Sequence, residues 1–361
     1  MKRLFAMAAA VLLAAACIFP LRVQAISARK AILLDGTTGR VLYEKDADSR
    51  SLIASTTKIM TALVVCEQCN VLDRVRIPKE AVGIEGSSIY LKEGEVLTVQ
   101  ELLYGMMLHS GNDAATALAI YCGGTVEGFA ALMNDKAREL NLVGTHFVNP
   151  HGLDAPAHYS CAKDLAVLAA YALENPLFAM TVSVKSVKAG DRYFTNHNKL
   201  LWRVEGANGV KTGYTKAAGR ILVSGAKRQN RQLVCVTIDA PDDWNDHKAL
   251  LERGFESYRL VQIIRKGQIL GHVEVLGGQG NSVLLMASED FYYPMAEAER
   301  ISVELPGPGF AYAPVIEDES AAKAHILIDG KAVGAVDLVY GETIEREETP
   351  KKNFLQRMLG E

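Results

Sequence analysis

Three short motifs in the 361-residue chain carry side chains that could do chemistry together. The first is Ser55–Lys58 (Ser-Thr-Thr-Lys), the second Ser110–Asn112 (Ser-Gly-Asn) and the third Lys211–Gly213 (Lys-Thr-Gly). A serine becomes a nucleophile when a neighbouring base takes its proton. At the start of a helix, residues three apart share a face, so Lys58 can reach the Ser55 hydroxyl. We therefore predict Ser55 as a nucleophile and Lys58 as its base.

A lysine acts as a base only in its neutral form. An ordinary lysine, with a pKa of ~10.4, is neutral in roughly one molecule in 2,500 at pH 7. Burial and a second nearby cation both lower that pKa, and Lys211 is the candidate for the second cation. The positive potential of a helix N-terminus also favours an alkoxide-like Ser55.

The other two motifs suggest supporting roles. Ser110 and Asn112 stand at the junction of two predicted helices, where Ser110 can relay a proton. Asn112 can hydrogen-bond a substrate amide or hold a lysine. Lys211 and Thr212 can bind a carboxylate.

Backbone groups complete the predicted site. Gly213 permits close approach of the main chain. The N–H groups of Ser55 and Tyr214 are the expected oxyanion hole, in which the loss of one donor typically costs ~10²–10³ in rate. We therefore predict that the segment after Lys211 forms one wall of the site.

The Ser-x-x-Lys pattern alone is weak, because four other matches start at Ser27, Ser160, Ser224 and Ser320. Ser224 lies on a predicted strand, where positions three apart face opposite sides. Ser160 begins a predicted helix, and a role as its N-cap is sufficient for it. Ser55 differs from these through the two motifs that follow it.

The elements that position these motifs follow from hydrophobic spacing and capping signals. A β-hairpin is predicted over residues 31–43, and strands over 220–226 and 232–238. Thr98 and Glu101 form a capping box, and Asn141 is a plausible left-handed cap. The predicted helices cover 55–65, 98–107, 113–121, 125–140, 160–173 and 247–258. This order predicts an α+β fold with an antiparallel sheet flanked by helices and an all-helical insertion.

The rest of the chain predicts three further segments. Short alternating strands over 265–345, with the hairpin signal Asp329-Gly330, indicate a small all-β C-terminal domain. The catalytic domain is then predicted at 26–264. Residues 346–361 carry a basic, apolar stripe that favours a helix on an anionic membrane surface, with a frayed tail as the alternative.

The first 25 residues predict an export signal. A basic start, the apolar run 4–19 and the small-residue pattern Val23-Gln24-Ala25 indicate cleavage after Ala25, with an uncleaved anchor as the alternative. We therefore expect the protein outside the cytoplasm, at the outer face of the cytoplasmic membrane. Removing the signal takes three of the 39 basic residues and no acid, so the net charge moves from −3 to −6.

Composition excludes several classes of protein. The chain is 49% hydrophobic and 22% charged, which is ordinary for a folded protein and excludes disorder or a disulfide scaffold. Proteins that bind nucleic acid typically carry a basic surface stripe, which a pI near 6.3 does not indicate. No nucleic-acid partner is therefore expected. Five cysteines follow the signal, and we expect them to be buried or incidental thiols, with a local Cys66–Cys69 disulfide as the alternative.

Four histidines between His109 and His158 do not fit a metal-ligand spacing. Structural roles are therefore expected for them. No metal site is predicted.

Together the motifs resemble the D-alanyl-D-alanine carboxypeptidase branch of the low-molecular-weight penicillin-binding proteins. The similar stretches occur in family order over about residues 30–225. They are 35–39, 54–61, 86–88, 110–115, 147–153 and 211–215. The resemblance of the C-terminal domain rests mainly on its position.

The resemblance implies a serine acyl-enzyme mechanism with no metal or organic cofactor. Ser55 attacks the D-Ala-D-Ala bond of a peptidoglycan stem peptide, Lys58 takes its proton and water hydrolyses the acyl-enzyme. β-Lactams, which mimic the D-Ala-D-Ala end, are then covalent inhibitors.

Three other functions remain as alternatives at this point. A D,D-endopeptidase that cleaves cross-links would use the same residues. A β-lactamase is disfavoured, because no Glu-x-x-Leu-Asn motif supplies a deacylating glutamate. A non-catalytic wall-binding protein is disfavoured by the intact motifs.

Overall fold

The computed structural model describes residues 25–305 and 309–348 and divides them into two compact units. The first unit ends at Gly254 and the second begins at Phe255. This division precedes the predicted boundary after Ile264, because the strand Arg259–Ile264 pairs with Phe291–Met295 of the second unit. The predicted export signal, up to residue 24, and the predicted membrane-binding tail from residue 349 lie outside the described residues.

An antiparallel five-stranded sheet forms the centre of the first unit, in the order β2-β1-β9-β8-β7. Strand β9 is buried over nearly its whole length because it lies between β1 and β8. The predicted hairpin and the two predicted strands are confirmed. The strands are β1 (Lys30–Asp35), β2 (Val41–Lys45), β7 (Ala207–Thr215), β8 (Gly219–Arg228) and β9 (Arg231–Ile238).

Seven helices of the first unit are described. The first, α1, is buried at every position from Lys58 to Cys66, so it runs through the core rather than over the surface. Helix α5 contacts both α1 and the sheet strands β1 and β9. The helices are α1 (Lys58–Gln68), α2 (Val99–Leu108), α3 (Asn112–Gly123), α4 (Val126–Glu139), α5 (Ala162–Glu174), α6 (Pro176–Ser183) and α7 (Asp243–Ser257).

The capping signals are confirmed where they were predicted. The Thr98 hydroxyl accepts from the backbone N–H of Glu101, whose carboxylate accepts in return from the Thr98 N–H at 2.6 Å. Asn141 follows α4 with a φ of +54°. Helix α7 begins at Asp243, four residues before its predicted start.

Ser160 is not the N-cap that its position predicts. Helix α5 begins at Ala162, and the Cys161 sulfur accepts from the Asp164 N–H in the capping position. The Ser160 hydroxyl lies instead 2.7 Å from the Thr145 hydroxyl. The prediction was wrong by one residue because a cysteine took the capping role that hydroxyl side chains usually fill.

The α+β fold class is confirmed, with one difference. The segment between β2 and β7 is mainly helical but also holds two short antiparallel ribbons. One pairs β3 (Arg74–Arg76) with β4 (Val96–Thr98), and the other pairs β5 (Ser186–Ala189) with β6 (Arg192–Thr195). Three-residue and four-residue strands carry too little alternation to be predicted from sequence.

The second unit is all-β, as predicted. Its six-stranded sheet has the order β14-β16-β17-β12-β11-β15, and a separate pair joins β10 to β13. Asp329 and Gly330, both with positive φ, make the tight turn between β16 and β17. The strands are β10 (Arg259–Ile264), β11 (Ile269–Leu276), β12 (Ser282–Ala287), β13 (Phe291–Met295), β14 (Ile301–Glu304), β15 (Phe310–Tyr312), β16 (Ser320–Ile328) and β17 (Lys331–Tyr340).

The five cysteines of the described residues are free thiols. The Cys66–Cys69 disulfide is therefore not formed, and the Cys69 thiol is hydrogen-bonded to Cys122 of α3 instead. Within residues 25–305 and 309–348, no single helix is both long enough and apolar enough to cross a membrane. Two pairs of consecutive helices, α3 with α4 and α5 with α6, meet both criteria only when the two helices of a pair are counted together, and each pair is bent at the break between its helices.

Candidate active site

The Lys58 amine is fully buried and contacts three oxygen atoms. Its Nζ lies 3.1 Å from the Ser55 hydroxyl, 2.6 Å from the Asn112 side-chain oxygen and 2.7 Å from the His151 carbonyl. The amide and carbonyl oxygens can only accept hydrogen bonds. A neutral amine that donates its two protons to them presents its lone pair to Ser55.

Ser55 lies in a 3-10 turn (Ala54–Thr57) that leads directly into α1. The segment predicted as the start of the helix is therefore a tighter 3-10 turn. Ser55 and Lys58 lie on the same side of this turn. Ala54 has a φ of +44°, in the left-handed region that a residue with a side chain rarely adopts. Such conformations persist only where surrounding contacts hold them, and they concentrate at functional sites.

The electrostatic surroundings favour a neutral Lys58. Burial lowers the pKa of Lys58 well below its usual 10.5, and the positive charge of Lys211 lowers it further, while Asp113 opposes both effects. Burial also lowers the pKa of Lys211, to about 7. The predicted coupling between the two lysines is therefore present in the structure.

Asn112 is held from both sides. Its side-chain oxygen accepts from Lys58, and its amide nitrogen donates to the Glu85 carbonyl at 2.5 Å. These two contacts fix which end of the amide faces the lysine. Of the two predicted roles for Asn112, the structure places it in the second, as the group that holds Lys58.

The loop before Asn112 is anchored by the next residue, Asp113. Its buried carboxylate accepts from the Ser88 hydroxyl at 2.6 Å and from the backbone N–H groups of Ile89 and Leu91 at 3.1 Å. Ser110 precedes α3 with a φ of +63° and is only 6% exposed. The turn between α2 and α3 is thereby held against the loop 85–91.

The segment 149–152 supplies the third contact of Lys58. Asn149 accepts through its side-chain oxygen from the backbone N–H of Gly152 at 2.7 Å, which fixes the turn that carries the His151 carbonyl. Gly152 has a φ of +90°, and a Cβ at this position would lie 1.8 Å from the Ala54 carbonyl oxygen. Only glycine allows this turn to pack against the turn that carries Ser55.

His158 supports the Ala54–Thr57 turn through Thr57. Its Nδ1 accepts from the Val148 N–H at 3.1 Å, so its Nε2 carries the proton and donates to the Thr57 hydroxyl at 2.7 Å. Thr57 in turn donates to the Ala54 carbonyl at 2.9 Å. Burial lowers the pKa of His158 to about 4, which keeps the ring neutral for this chain of bonds.

Strand β7 brings the third motif to the site. Lys211 is 2% exposed and donates to the Thr212 carbonyl at 2.8 Å. A Cβ at Gly213 would lie 3.3 Å from the Ser55 nitrogen and from the Ile53 carbonyl oxygen, so the absence of a side chain lets β7 approach the turn that carries Ser55. Tyr214 follows at 65% exposure, at the open end of the site.

A cavity of about 410 Å³ opens in front of these groups. Five of the eight predicted site residues line it, and Lys58, Asn112 and Lys211 are buried behind that lining. The five lining residues are Ser55, Ser110, Thr212, Gly213 and Tyr214. The structure therefore brings all three motifs to one place.

Sequence patterns do not reveal the groups that hold Lys58 and the turn that carries Ser55. His151 acts through its carbonyl, which no side-chain pattern reveals. Gly152 lies in the stretch 147–153. A glycine directly after Asn-Pro-His was the sequence signal that could have indicated a tight turn there. Within the described ranges, no group of three or more His, Cys, Asp and Glu side chains could hold a metal ion.

Two protein families match separate parts of the chain. Residues 19–242 match the D-alanyl-D-alanine carboxypeptidase family, and residues 258–346 match the C-terminal domain of penicillin-binding protein 5. The chain is 36% identical to the D-alanyl-D-alanine carboxypeptidase DacF of Bacillus subtilis over 73% of this chain and 71% of that protein. It is 32% identical to DacC of Escherichia coli, a protein of the same description, over 89% of this chain and 85% of that one.

The solved structures show the same fold. Penicillin-binding protein 5 from Haemophilus influenzae superposes with a TM-score of 0.78 at 28% identity, covering 91% of this chain and all of that one.

Proposed function

Because this chain belongs to the D-alanyl-D-alanine carboxypeptidase family, its activity is the release of the terminal D-alanine from a D-Ala-D-Ala peptide, and we propose that the release runs through an acyl-enzyme on Ser55. The observation that carries the proposal is the geometry of Lys58. Two oxygens that can only accept take both protons of the neutral amine, so its lone pair faces the Ser55 hydroxyl at 3.1 Å.

In the first step, Lys58 takes the Ser55 proton while the hydroxyl oxygen attacks the carbonyl carbon of the scissile bond. The cation that forms on Lys58 keeps its hydrogen bonds to Asn112 and His151. The backbone N–H groups of Ser55 and Tyr214 receive the developing oxyanion, and the close approach at Gly213 supports this role.

In the second step, the carbon–nitrogen bond breaks and the departing amine of D-alanine takes a proton. We assign that proton to Lys58, relayed through the Ser110 hydroxyl at the cavity wall. Water then attacks the ester, Lys58 again acts as the base and Ser55 is regenerated. A β-lactam acylates Ser55 by the same first step.

Recognition of the substrate end falls to β7. We propose that Lys211 and Thr212 hold the terminal carboxylate of the stem peptide. A carboxylate beside the buried Lys211 stabilises its charged form, so substrate binding favours a protonated Lys211 and, through repulsion, a neutral Lys58.

The setting of the reaction follows from the ends of the chain. We propose export through residues 1–25 and binding of residues 346–361 to the outer face of the cytoplasmic membrane, supported by the apolar and basic patterns of those segments. Mass measurement of the mature protein tests the cleavage after Ala25. Co-sedimentation with anionic vesicles, before and after deletion of residues 346–361, tests the tail, and equal binding by both forms would contradict it.

The decisive experiment compares two serines that share the Ser-x-x-Lys pattern. Wild type is expected to bind labelled penicillin covalently and to release D-alanine from a diacetyl-Lys-D-Ala-D-Ala peptide. Ser55→Ala should lose both. Ser160→Ala is the control and should keep both, because Lys163 pairs with Asp48 at 3.1 Å rather than serving Ser160.

Covalent label on the folded Ser55→Ala variant would overturn the proposal. Thermal unfolding of both variants shows that each is folded in the assay. Faster cleavage of a cross-linked dimer than of a pentapeptide would assign the same site to endopeptidase activity.

A further inference from the structure

An arginine that the proposed mechanism does not use lies at the wall of the active-site cavity. Arg220 is on β8, directly opposite Tyr214 of β7, and lines the cavity together with Asp243 and Trp244 from the first turn of α7. Its side chain is 45% exposed, so its charge is accessible to a bound ligand.

The Arg220 guanidinium is held by one nitrogen only. Its Nη2 donates to both carboxylate oxygens of Asp243, at 2.8 and 2.9 Å, and that carboxylate is 4% exposed. Within residues 25–305 and 309–348, no oxygen accepts a hydrogen bond from Nε or Nη1 of Arg220. A guanidinium fixed in this way keeps donors for a second carboxylate.

The charges around the cavity favour an anion. Lys199 and Arg220 line it, and the buried Lys211 lies behind Thr212. Among the described residues, Asp243 is the one acid in the lining, and it is paired with Arg220. The cationic side chains therefore outnumber the acidic one, which raises the local concentration of negatively charged ligands.

The position of Arg220 determines which part of the substrate it meets. With the terminal carboxylate at Lys211 and Thr212 and the scissile carbonyl at the N–H of Tyr214, the acyl part of the peptide continues past Tyr214. Arg220 lies across the strand pair from that residue. It is therefore placed beside the residues that precede the scissile bond.

We propose that Arg220 is a specificity-determining residue that binds a second free carboxylate, on the acyl part of the stem peptide. This proposal rests on the proposed carboxypeptidase function and names the substrate class that the site prefers. The same chemistry has two sources: the α-carboxylate of a γ-linked glutamate at the second position, or the side-chain carboxylate of a diamino-diacid at the third.

The test uses four pentapeptides that share the D-Ala-D-Ala end. In the first peptide, both carboxylates of the acyl part are free. In the second peptide the carboxylate at the second position is amidated, and in the third peptide the carboxylate at the third position is amidated. In the fourth peptide both carboxylates are amidated. Wild type is expected to lose about tenfold in kcat/KM with one of the two single amidations, which identifies the source. In Arg220→Gln this difference should disappear, because the variant no longer distinguishes a carboxylate from its amide.

Arg228→Gln is the matched control. Arg228 also joins β8 to α7, through Glu252 at 2.9 Å, but does not line the cavity. It should retain the tenfold preference of wild type, which shows that loss of an ion pair between β8 and α7 is not the cause.

Equal kcat/KM values of wild type on all four peptides would overturn the proposal while leaving the carboxypeptidase function intact. An equal loss on every peptide in Arg220→Gln would also overturn it, since the arginine would then be structural. A wild-type enzyme that releases no D-alanine and binds no penicillin would instead remove the proposed function itself.

Discussion

The side-chain oxygen of Asn112 lies 2.6 Å from the Lys58 amine, although the two residues are 54 positions apart in the chain. The opposite end of the same amide donates to the Glu85 carbonyl, so the amide cannot turn over without losing both bonds. Asn112 therefore presents a neutral acceptor to a buried lysine that the proposed mechanism needs unprotonated.

Asn112→Asp is expected to slow acylation. A carboxylate beside Lys58 favours the charged amine and raises its pKa, so less of the neutral base is present. The rate of penicillin acylation relative to wild type should be about tenfold lower at pH 7, and this ratio should approach one as the pH is raised. Stopped-flow or gel-based acylation rates between pH 6 and 10 measure this.

Asn70→Asp is the control for that exchange, because the Asn70 side-chain oxygen accepts from the Leu72 N–H and an aspartate can do the same. It should leave the rate unchanged. A pH-independent loss in Asn112→Asp would show that the residue acts by shape rather than through the lysine's proton.

The pH profile of kcat/KM for the peptide is expected to have two limbs. Activity rises with pH as Lys58 loses its proton. It falls above about pH 7, because burial places the pKa of Lys211 at about 7 and the neutral amine no longer attracts the terminal carboxylate. Initial rates of D-alanine release across this range measure both limbs.

Lys211→Arg separates the two limbs, because a guanidinium stays charged throughout. Its descending limb should move upward by more than one pH unit, even where the maximal rate is lower. A descending limb at the wild-type position would assign that limb to another group.

Gly152→Ala is expected to lower the free energy of unfolding by about 3 kcal/mol or more. The added Cβ would overlap the Ala54 carbonyl at 1.8 Å, and the φ of +90° is itself strained for alanine. Penicillin acylation should fall as well, because the turn carries the His151 carbonyl. Urea unfolding and acylation rates check the two effects.

Gly124→Ala is the matched variant, since Gly124 has a φ of +75° and no heavy atom within 4 Å of an added Cβ. Its cost should be about 1 kcal/mol, with activity retained. Equal costs for the two variants would mean that backbone strain alone, and not the contact with Ala54, explains the glycine at position 152.

The stability of the fold is expected to decrease as the pH falls from about 6.5 to about 4. Burial lowers the pKa of His151 and His247 to about 3 and that of His158 to about 4, and it also lowers the pKa of His109 and His197. The unfolded chain therefore binds protons in this range that the folded chain does not, and stability present above pH 6.5 is lost. Urea unfolding at several pH values measures the slope.

His247→Gln should reduce that slope by about one proton near pH 5. His247 bridges Ser224 at 2.6 Å and Thr237 at 2.9 Å, so glutamine preserves a polar side chain between these hydroxyls. His272→Gln, at an exposed position of the second unit, is the control and should keep the wild-type slope. An unchanged slope in His247→Gln would contradict the linkage.

The sequence by itself was enough to predict the proposed chemistry, because the residues that would carry it lie in short local motifs. The three-residue spacing of Ser55 and Lys58 at a helix start and the glycine of Lys-Thr-Gly could be interpreted without knowing the tertiary contacts. The long periodic helices and the Asp329-Gly330 turn were predictable for the same reason: their signals are confined to a few neighbouring residues.

Other features were outside the reach of local patterns. Strand β7 carries Gly, Lys and Thr with little alternation, so its place at the sheet edge follows from pairing with β8. The predicted Ser160 cap was wrong because the helix begins one residue later than predicted, at Ala162, which puts Cys161 in the N-cap position.

Only the tertiary structure decided how far the pKa of Lys58 is lowered. Burial of Lys58, the charge of Lys211 and the acceptors from Asn112 and His151 come from four separate segments of the chain. A pKa depends on the sum of desolvation and nearby charges, which exists only once those segments meet. The sequence therefore predicted Ser55 as the nucleophile and Lys58 as its base, and the fold supplies the environment that lowers the pKa of Lys58.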